Sequence, residues 1–412
     1  MSTEATKVLK PVCQIREFNR TMIPLMKYAF FHESETRQAL AEFILNADQL
    51  SMGAKCLEFE AAFAKFQGRR EAIFFNSGGS ANLAILQTLK NLGRLKDGSR
   101  VGFSALTWST NVMPIIQLGM VPVVIDCEPT TLNVMSSNLI ERFASIHLDA
   151  LFITNALGFT GDLEVIRSLC DANNTLLLED NCEALGTELH SGRAGNFGMA
   201  ASFSFFIAHH MSTIEGGMVC TDDEAMAEML RIVRANGWDR NLPPQQQLKW
   251  REQFNITSEF EAKYTFYDLG YNLRPTELNG FLGLTQLKYL PKNIAIRELN
   301  YIVLASVIQQ NPDLTPLDRS HLKVMSAFAI PVLCKTPALK QKYVTKFAAA
   351  GVEVRPMIAG NIQRQPFFTK YVRDRQPLPG AEFVHNCGFY CGNYPELTAS
   401  DLDILKTCLH KD

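Results

Sequence analysis

The feature that most constrains the fold is the alternation of short apolar runs with longer helical patterns between residues 72 and 220. Four such runs, rich in β-branched or aliphatic side chains, occupy residues 72–75, 121–125, 151–153 and 176–178. Continuous apolar strands separated by helices are typical of a parallel sheet that is covered on both faces. Between the first two runs, Ile85, Leu89 and Leu92 recur at helical spacing before Gly93. The sequence therefore predicts an α/β fold with a mostly parallel sheet.

Length and composition set the limits of this prediction. The chain has 412 residues, of which 47% are hydrophobic, and its 40 basic side chains nearly balance its 42 acidic ones. The hydrophobic content argues against a disordered chain, and the near-neutral charge argues against a protein that binds nucleic acid. We see no apolar run near the ~18 residues of a membrane span and no basic-then-apolar leader at Met1, so we expect no membrane segment and a cytoplasmic location.

The pattern changes after Pro291, where a long helical stretch leads to the apolar run 327–333 and a tail rich in glycine and proline. We predict an N-terminal arm at residues 1–25, a large α/β domain at residues 26–290 and a smaller C-terminal α+β domain at residues 291–412.

The ten cysteines are scattered through a chain much longer than the small secreted proteins that depend on disulfides. We therefore expect reduced thiols. Cys387 and Cys391 are the closest pair, but no histidine or cysteine cluster beside them completes a zinc site. We predict no metal site.

Two polar motifs follow predicted strands. Small residues at 76–82 open a predicted helix, where backbone N–H groups and serine hydroxyls suit a phosphate. An ordinary strand-to-helix turn uses the same residue types, so this motif alone leaves both interpretations open. Asp180 ends another strand, at the edge where open α/β sheets bind ligands, and either binds a protonated ring nitrogen or caps a helix.

The run 202–217, which contains Phe203, His209, His210 and Gly216, completes the set of motifs. Together with residues 76–82, Asp180 and the segment 270–274, it resembles the DegT/DnrJ/EryC1/StrS family of pyridoxal-phosphate-dependent sugar aminotransferases. The resemblance begins near residue 43 and covers most of the chain. It implies the fold-type I arrangement of these enzymes, with a seven-stranded sheet in the large domain.

His209 stands where this family has the lysine that forms a Schiff base with the cofactor. An imidazole moves protons but does not form such a bond, and no lysine lies between Lys96 and Lys249. Histidine at this place resembles the dehydratase branch of the family, which removes the 3-hydroxyl of nucleotide-linked 4-keto-6-deoxyhexoses with pyridoxamine phosphate. One set in that branch carries an iron–sulfur cluster. Cys182 matches its upstream ligand, but no cysteine lies between Cys220 and Cys334, so we expect no cluster.

The resemblance also implies roles for individual residues. His209 would be the catalytic base, Asp180 would keep the pyridine nitrogen protonated, and Glu183 would face the ring hydroxyl, where relatives often have glutamine. Trp108 would stack on the ring, with a core tryptophan as the alternative. His210 is expected to be structural, because adjacent side chains point in different directions. Phosphate contacts would come from Gly79, Ser80 and Ser204, and from Asn272 of a neighbouring subunit, which implies a homodimer with shared active sites.

The implied reaction is a C3-dehydration in deoxysugar biosynthesis, such as that of lipopolysaccharide O-antigens. Pyridoxamine phosphate would condense with the C4 ketone, His209 would remove a proton from the cofactor's C4′ carbon, and the C3 hydroxyl would leave. Glutamate or another amino donor would recharge the cofactor. Arg355 would bind the substrate diphosphate or the donor carboxylate, with a solvated surface arginine as the alternative. An aminotransferase without a lysine Schiff base and a catalytically silent family member are the competing functions.

Overall fold

The structure, a computed structural model, describes residues 23–411. The first nine strands of the chain are β1 (Glu71–Phe75), β2 (Arg100–Ser104), β3 (Val121–Ile125), β4 (Ala150–Thr154), β5 (Leu176–Asp180), β6 (Glu188–Leu189), β7 (Gly192–Arg193), β8 (Ala200–Ser204) and β9 (Gly217–Thr221). Seven of them form the largest sheet, in the order β1-β9-β8-β5-β4-β2-β3. Six strands of this sheet are parallel, and β9 runs in the opposite direction between β1 and β8.

Helices cover both faces of this sheet. Successive residues of β1 belong to opposite sides, because Ile73 and Phe75 join the main hydrophobic core whereas Ala72 and Phe74 join a second apolar cluster with Phe59 of α2. The predicted doubly covered, mostly parallel sheet is confirmed. The helices of this part are α1 (Glu33–Asn46), α2 (Ala54–Gln67), α3 (Gly78–Asn91), α4 (Ser109–Gln117), α5 (Ser136–Phe143), α6 (Leu163–Ala172), α7 (Glu224–Arg234), α8 (Pro244–Gln253), α9 (Glu259–Ala262) and α10 (Glu277–Leu287).

The C-terminal part is built on a three-stranded antiparallel sheet in the order β11-β13-β12. The long helix α11 precedes it, and α12, α14 and α15 pack around it or against one another. The elements are α11 (Leu290–Gln310), β10 (Leu322–Val324), β11 (Ala329–Leu333), α12 (Pro337–Ala349), β12 (Val354–Pro356), α13 (Pro366–Tyr371), α14 (Pro379–Cys387), β13 (Gly388–Gly392) and α15 (Ala399–Leu409).

Two connections join the C-terminal part to the rest of the chain. Strand β10 pairs with β6, which in turn pairs with β7, so that a small sheet contains strands from both parts. Near the start of the described chain, Ile23 forms a parallel bridge with Val352 and exchanges backbone hydrogen bonds with Gly351 and Glu353. Ile23 therefore lies against the C-terminal part.

The predicted division at residue 290 stays a prediction, although α11 begins at Leu290 and the C-terminal sheet follows it. The predicted arm lies outside the described residues except for residues 23–25. Among residues 23–411, no helix combines the length and the apolar character needed to cross a bilayer.

Candidate active site

A cavity of about 460 Å³ opens at the carboxyl ends of the central parallel strands, where β4, β5 and β8 end in Thr154, Asp180 and Ser204. Side chains at this edge come together because parallel strands end at the same side of a sheet. The remaining wall comes from the starts of α3 and α4, the loops after β5 and β8, and the C-terminal part. The cavity is lined by Ser77, Gly78, Gly79, Trp108, Thr110, Thr154, Asp180, Cys182, Glu183, Ser204, Phe206, Ala208, His209, Glu215, Phe328, Ile358 and Tyr390.

Six of the residues predicted for the site share this cavity. They belong to four separate segments of the chain, which only the fold brings together. These residues are Gly79, Trp108, Asp180, Glu183, Ser204 and His209.

The predicted phosphate turn forms the start of α3. The Ser77 hydroxyl caps this helix by accepting a hydrogen bond from the backbone N–H of Ser80 at 3.1 Å, and the hydroxyls of Ser77 and Ser80 are 2.9 Å apart. A Cβ atom at Gly78 would lie 2.7 Å from the Ser204 Cβ, so the turn and strand β8 approach as closely as a glycine permits. Gly79 lines the cavity, and Ser80 is next to it without being a lining residue, although its hydroxyl meets that of Ser77, which does line the cavity.

Asp180 is buried at the floor of the cavity, with 3% of its surface exposed. Its Oδ2 atom accepts a hydrogen bond from the Asn82 amide at 2.9 Å, and Oδ1 accepts one from the backbone N–H of Cys182 at 3.0 Å. The Asn111 amide approaches Oδ2 at 3.4 Å. The carboxylate is therefore fixed by α3 and α4, and it organises the turn after β5 without capping a helix.

Trp108 precedes α4 and is 58% exposed, so it is not a core tryptophan. Its ring lines the cavity. An exposed aromatic plane beside a buried carboxylate suits a flat, positively charged ring.

His209 lies in the loop between β8 and β9. Its Nδ1 atom is buried, while the ring as a whole remains partly exposed and lines the cavity. Desolvation lowers the pKa of His209 to about 4, with an opposing contribution from the Cys182 backbone and a further lowering by the positive charge of Arg297. The imidazole is therefore neutral at pH 7 and able to accept a proton.

His210 points away from the cavity. Its side chain is buried, and its Nε2 atom lies 2.9 Å from the Ser326 carbonyl oxygen. This placement agrees with the structural role expected from the different directions of adjacent side chains.

Glu183 lines the cavity beside Asp180. Its Oε2 atom accepts a hydrogen bond from the backbone N–H of Leu157 at 3.0 Å. Desolvation raises the pKa of Glu183 to about 7, the Leu157 hydrogen bond opposes this shift, and the charge of Asp180 adds to it. A carboxyl group with this pKa is present in both protonation states near neutral pH.

The two remaining predicted residues do not line the cavity. Asn272 is exposed, and its Oδ1 atom accepts a hydrogen bond from the Arg274 Nε at 3.1 Å. Arg355 is exposed on β12, where it forms an ion pair with Glu353 and lies opposite Tyr390 of β13. Because directly opposite residues of antiparallel strands share a face, Arg355 stands beside a residue of the cavity wall.

Several cavity residues had no predicted role. Tyr390 lies in β13 and Ile358 in the loop after β12, and burial raises the pKa of Tyr390 to about 12. Phe328 belongs to an apolar run that indicates only a strand, and Glu215 belongs to the run 202–217. No local signal distinguishes Phe328 or Ile358 from core residues.

The cysteines of the described chain are free thiols, as expected for a reduced protein. Cys387 and Cys391 are both buried, at the end of α14 and in β13. Between residues 23 and 411, no cluster of three or more His, Cys, Asp or Glu side chains has the arrangement of a metal site.

The fold and this cavity define a pyridoxal-phosphate-dependent transferase of the fold-type I class. The sequence profile of the DegT/DnrJ/EryC1/StrS aminotransferase family matches residues 32–409, and the chain belongs to that family. The predicted family and fold are confirmed.

Similar proteins include enzymes of the dehydratase branch. GDP-4-keto-6-deoxy-D-mannose 3-dehydratase of Escherichia coli O55:H7 is 30% identical over 370 residues, which cover 89% of this chain and 94% of that protein. Lipopolysaccharide biosynthesis protein RfbH of Salmonella typhimurium is 32% identical over 84% of this chain and 82% of its own. A crystal structure of GDP-4-keto-6-deoxymannose 3-dehydratase with a trapped pyridoxal phosphate–glutamate geminal diamine has a TM-score of 0.85, with 30% identity and coverage of 94% and 99% of the two chains.

The residues of the cavity fit pyridoxal or pyridoxamine phosphate. Gly78 and Gly79 line the cavity at the start of α3 and carry no side chain beside their backbone N–H groups, which suits a phosphate. Asp180 offers a buried carboxylate and Trp108 an exposed aromatic plane. The cavity has therefore an anion-binding end, a carboxylate and an aromatic wall, which together match a flat ring with a phosphate and a protonated nitrogen.

Proposed function

We propose that this chain catalyses the pyridoxamine-phosphate-dependent removal of the C3 hydroxyl from a nucleotide-linked 4-keto-6-deoxyhexose. The proposal is supported by the similar dehydratases, which cover nearly the whole chain. It places the enzyme among the lyases of deoxysugar biosynthesis, and the similarity to a lipopolysaccharide biosynthesis protein supports a place in O-antigen formation.

One observation carries the proposal: the cavity contains a neutral histidine and, among its described lining residues, no lysine. A transaminase of this fold uses lysine both to hold its cofactor and to move protons. His209 can move protons, but it cannot hold the cofactor through a covalent bond. This change favours a reaction in which the cofactor is held without a covalent bond to the protein.

We assign cofactor binding to the residues that surround the cavity. The backbone N–H groups at Gly78 and Gly79 and the hydroxyls of Ser80 and Ser204 would bind the phosphate at the positive end of α3. Asp180 would hold the proton on the ring nitrogen, and Trp108 would cover one face of the ring. When bound, pyridoxamine phosphate supplies an amine for the sugar ketone and a ring that accepts electrons.

His209 moves protons at its imidazole. Because its pKa is about 4, the ring is unprotonated at neutral pH and takes a proton at a cavity-facing nitrogen. The proton that it takes is then available to the departing C3 hydroxyl. Glu183, with a pKa of about 7, holds or releases a proton at its carboxyl oxygen on the same wall.

A second subunit completes the site in our proposal. Asn272 is exposed and lies outside the cavity of its own chain, which suits a contact with the cofactor phosphate of a partner. Exposed apolar side chains near α1 and α2 provide an area that a second copy would bury. These side chains include Ile44, Leu45, Leu50 and Leu57.

The substrate and the amino donor are assigned by chemistry. Arg355 lies beside the cavity wall and would bind the diphosphate of the nucleotide sugar or the carboxylate of glutamate by paired hydrogen bonds. Glutamate as donor is supported by the adduct in the similar dehydratase structure. We further propose that the enzyme acts in the cytoplasm, where nucleotide sugars are made.

The test is incubation of the purified chain with pyridoxal phosphate, glutamate and GDP-4-keto-6-deoxymannose, followed by mass spectrometry. Loss of the C3 oxygen with release of ammonia supports the proposal. Stable formation of a 4-amino sugar identifies an aminotransferase instead, and absence of either product contradicts both. His209→Asn removes the base and lowers turnover at least about 100-fold while bound cofactor remains. His147→Asn, at an exposed histidine, is the matched control.

Shared active sites are tested by mixing two inactive variants. His209→Asn damages its own site, whereas Asn272→Ala damages the site of its partner. A mixed dimer then keeps one intact site, so random exchange restores about a quarter of wild-type activity. No recovery after subunit exchange contradicts the assignment of Asn272.

A further inference from the structure

Three successive backbone carbonyls before β11 accept hydrogen bonds from buried side chains. His210 lies 2.9 Å from the Ser326 oxygen, Asn393 donates from Nδ2 to the Ala327 oxygen at 3.1 Å, and Arg297 donates from Nη1 to the Phe328 oxygen at 3.0 Å. The three donors come from the loop after β8, the end of β13 and helix α11. We call His210, Arg297 and Asn393 the carbonyl clamp.

Two of the clamp residues also hold one another. Arg297 donates to the backbone oxygen of Asn393, and Asn393 donates to the backbone oxygen of Arg297 at 3.0 Å. All three side chains are at least 98% buried. Since a carbonyl can only accept, the Nε2 atom of His210 carries the proton, which fixes its tautomer.

Arg297 is a costly residue at this place. Arg297 is 1% exposed, and a guanidinium buried to this extent loses its hydration. The compensating charge is the carboxylate of Glu396, which partly offsets the desolvation that lowers the pKa of Arg297 to about 10. Such a residue is a poor choice for stability alone.

The segment held by the clamp places Phe328 against the proposed base. The Phe328 ring centroid lies 5.2 Å from that of His209 and 5.9 Å from that of His210, and Phe328 lines the cavity. A Cβ atom at Gly158, where φ is +91°, would lie 2.2 Å from the Ser326 oxygen. The segment therefore has little room to shift toward the large sheet.

We propose that the carbonyl clamp is a set of positioning residues that fixes the Phe328 ring against the His209 imidazole. Through this contact the C-terminal part of the chain determines both the orientation of the base and its shielding from water. The inference rests on the proposed function, because His209 matters as a base in that reaction. It adds His210, Arg297, Asn393 and Phe328 to the residues on which turnover depends.

The charges around His209 agree with this role. Asp180, Cys182 and Glu183 line the cavity with His209 from β5 and the loop after it. Tyr390 lines it from β13 and Glu215 from its own loop, and His210 is the neighbouring residue. Arg297 supplies positive charge from α11, which opposes protonation of both histidines in addition to the effect of their burial. The clamp therefore favours a neutral base in two ways, by charge and by the apolar ring that it positions.

The experiment measures protonation of His209 directly in the cofactor-free full chain. Protein labelled with ¹³C-histidine is titrated by NMR, and the His209 signal is assigned by its loss in His209→Asn. We expect a pKa near 4 in the wild type and a rise of about one pKa unit in Phe328→Ala and in Arg297→Met. Arg297→Lys, which keeps the charge, retains the low value. Lys292→Met removes an exposed cation from the same helix and leaves the His209 pKa unchanged.

Two outcomes overturn the proposal. One is a His209 pKa near 6.5 in the wild type, and the other is an unchanged pKa in Phe328→Ala. The Phe328→Ala measurement decides the question even where Arg297→Met fails to fold. In the dehydratase assay, Phe328→Ala and Arg297→Met should lower kcat with little change in KM. If Arg297→Lys restores kcat, the positive charge of residue 297 matters more than the packing of its side chain. Because the titration needs no cofactor or substrate, a failed dehydration assay with the expected pKa values refutes the proposed function alone.

Discussion

Glu183 and His209 lie on one cavity wall, and their opposed pKa shifts lead to a prediction about stability and pH. The pKa of Glu183 rises from 4.5 to about 7 on folding, and that of His209 falls from 6.5 to about 4. Between pH 4.5 and 7 the folded state binds more protons at Glu183 than the unfolded chain does, so stability falls as pH rises. Between pH 6.5 and 4 the folded state binds fewer protons at His209, so stability is lost as pH falls. The two effects nearly cancel in the wild type.

Single substitutions separate the two contributions. A pKa difference between 4.5 and 7 corresponds to about 3.4 kcal/mol for a group fully removed from water. Both side chains are partly exposed to the cavity, and screening by solvent reduces the expected effect to about 1–2 kcal/mol. Glu183→Gln keeps an acceptor for the Leu157 N–H but carries no charge. We expect the unfolding free energy of this variant, relative to that of the wild type, to be about 1–2 kcal/mol higher at pH 8 than at pH 5.

The assay is urea unfolding of the cofactor-free protein from pH 5 to pH 8. The difference in unfolding free energy between each variant and the wild type removes the contribution of all other titrating groups. His209→Asn should show the opposite dependence, with its advantage over the wild type largest at pH 5. A difference that stays constant with pH for both variants would refute the desolvation of these two groups. His147→Asn, at an exposed histidine that does not line the cavity, is again the control.

Three further substitutions test the site and its support. Gly78→Ala should weaken cofactor binding at least about tenfold in an absorbance titration, because its methyl group collides with Ser204. The control is Gly192→Ala, which should retain binding because its methyl group meets no atom closer than 4.0 Å. Asp180→Asn should lower turnover at least about 100-fold with the cofactor still bound, and full activity would contradict its role at the ring nitrogen. Glu179→Gln should lower the unfolding free energy by about 3 kcal/mol in urea, since its carboxylate accepts backbone hydrogen bonds from residues 195, 197 and 198.

Much of the large sheet could be predicted from the sequence because its strands are apolar on both faces. The predicted runs at 121–125 and 176–178 correspond to β3 and β5, and Leu92 and Gly93 follow directly after helix α3. Asp180 ends β5 as predicted, since a charged side chain stops a run that is buried on both faces. Local chemistry therefore carried the positions of β1, β3, β4 and β5. The strands β2, β8 and β9 were not predicted, and the antiparallel insertion of β9 depends on pairing across the chain.

The rest of the site could not be predicted because it depends on contacts between distant segments. Phe328 has the same local pattern as a core strand residue, and only the packing of the C-terminal part brings its ring to His209. The resemblance assigns the base to His209 and a structural role to His210, but no local signal shows which contact holds the two side chains apart. The structure separates them through the Ser326 carbonyl, which binds His210 and leaves His209 at the cavity wall. If this hydrogen bond selects the base, His210→Ala should lower turnover. His210→Gln, which keeps a donor for the Ser326 carbonyl, should restore most of the turnover. Equal loss in both variants would show that the contact does not orient His209.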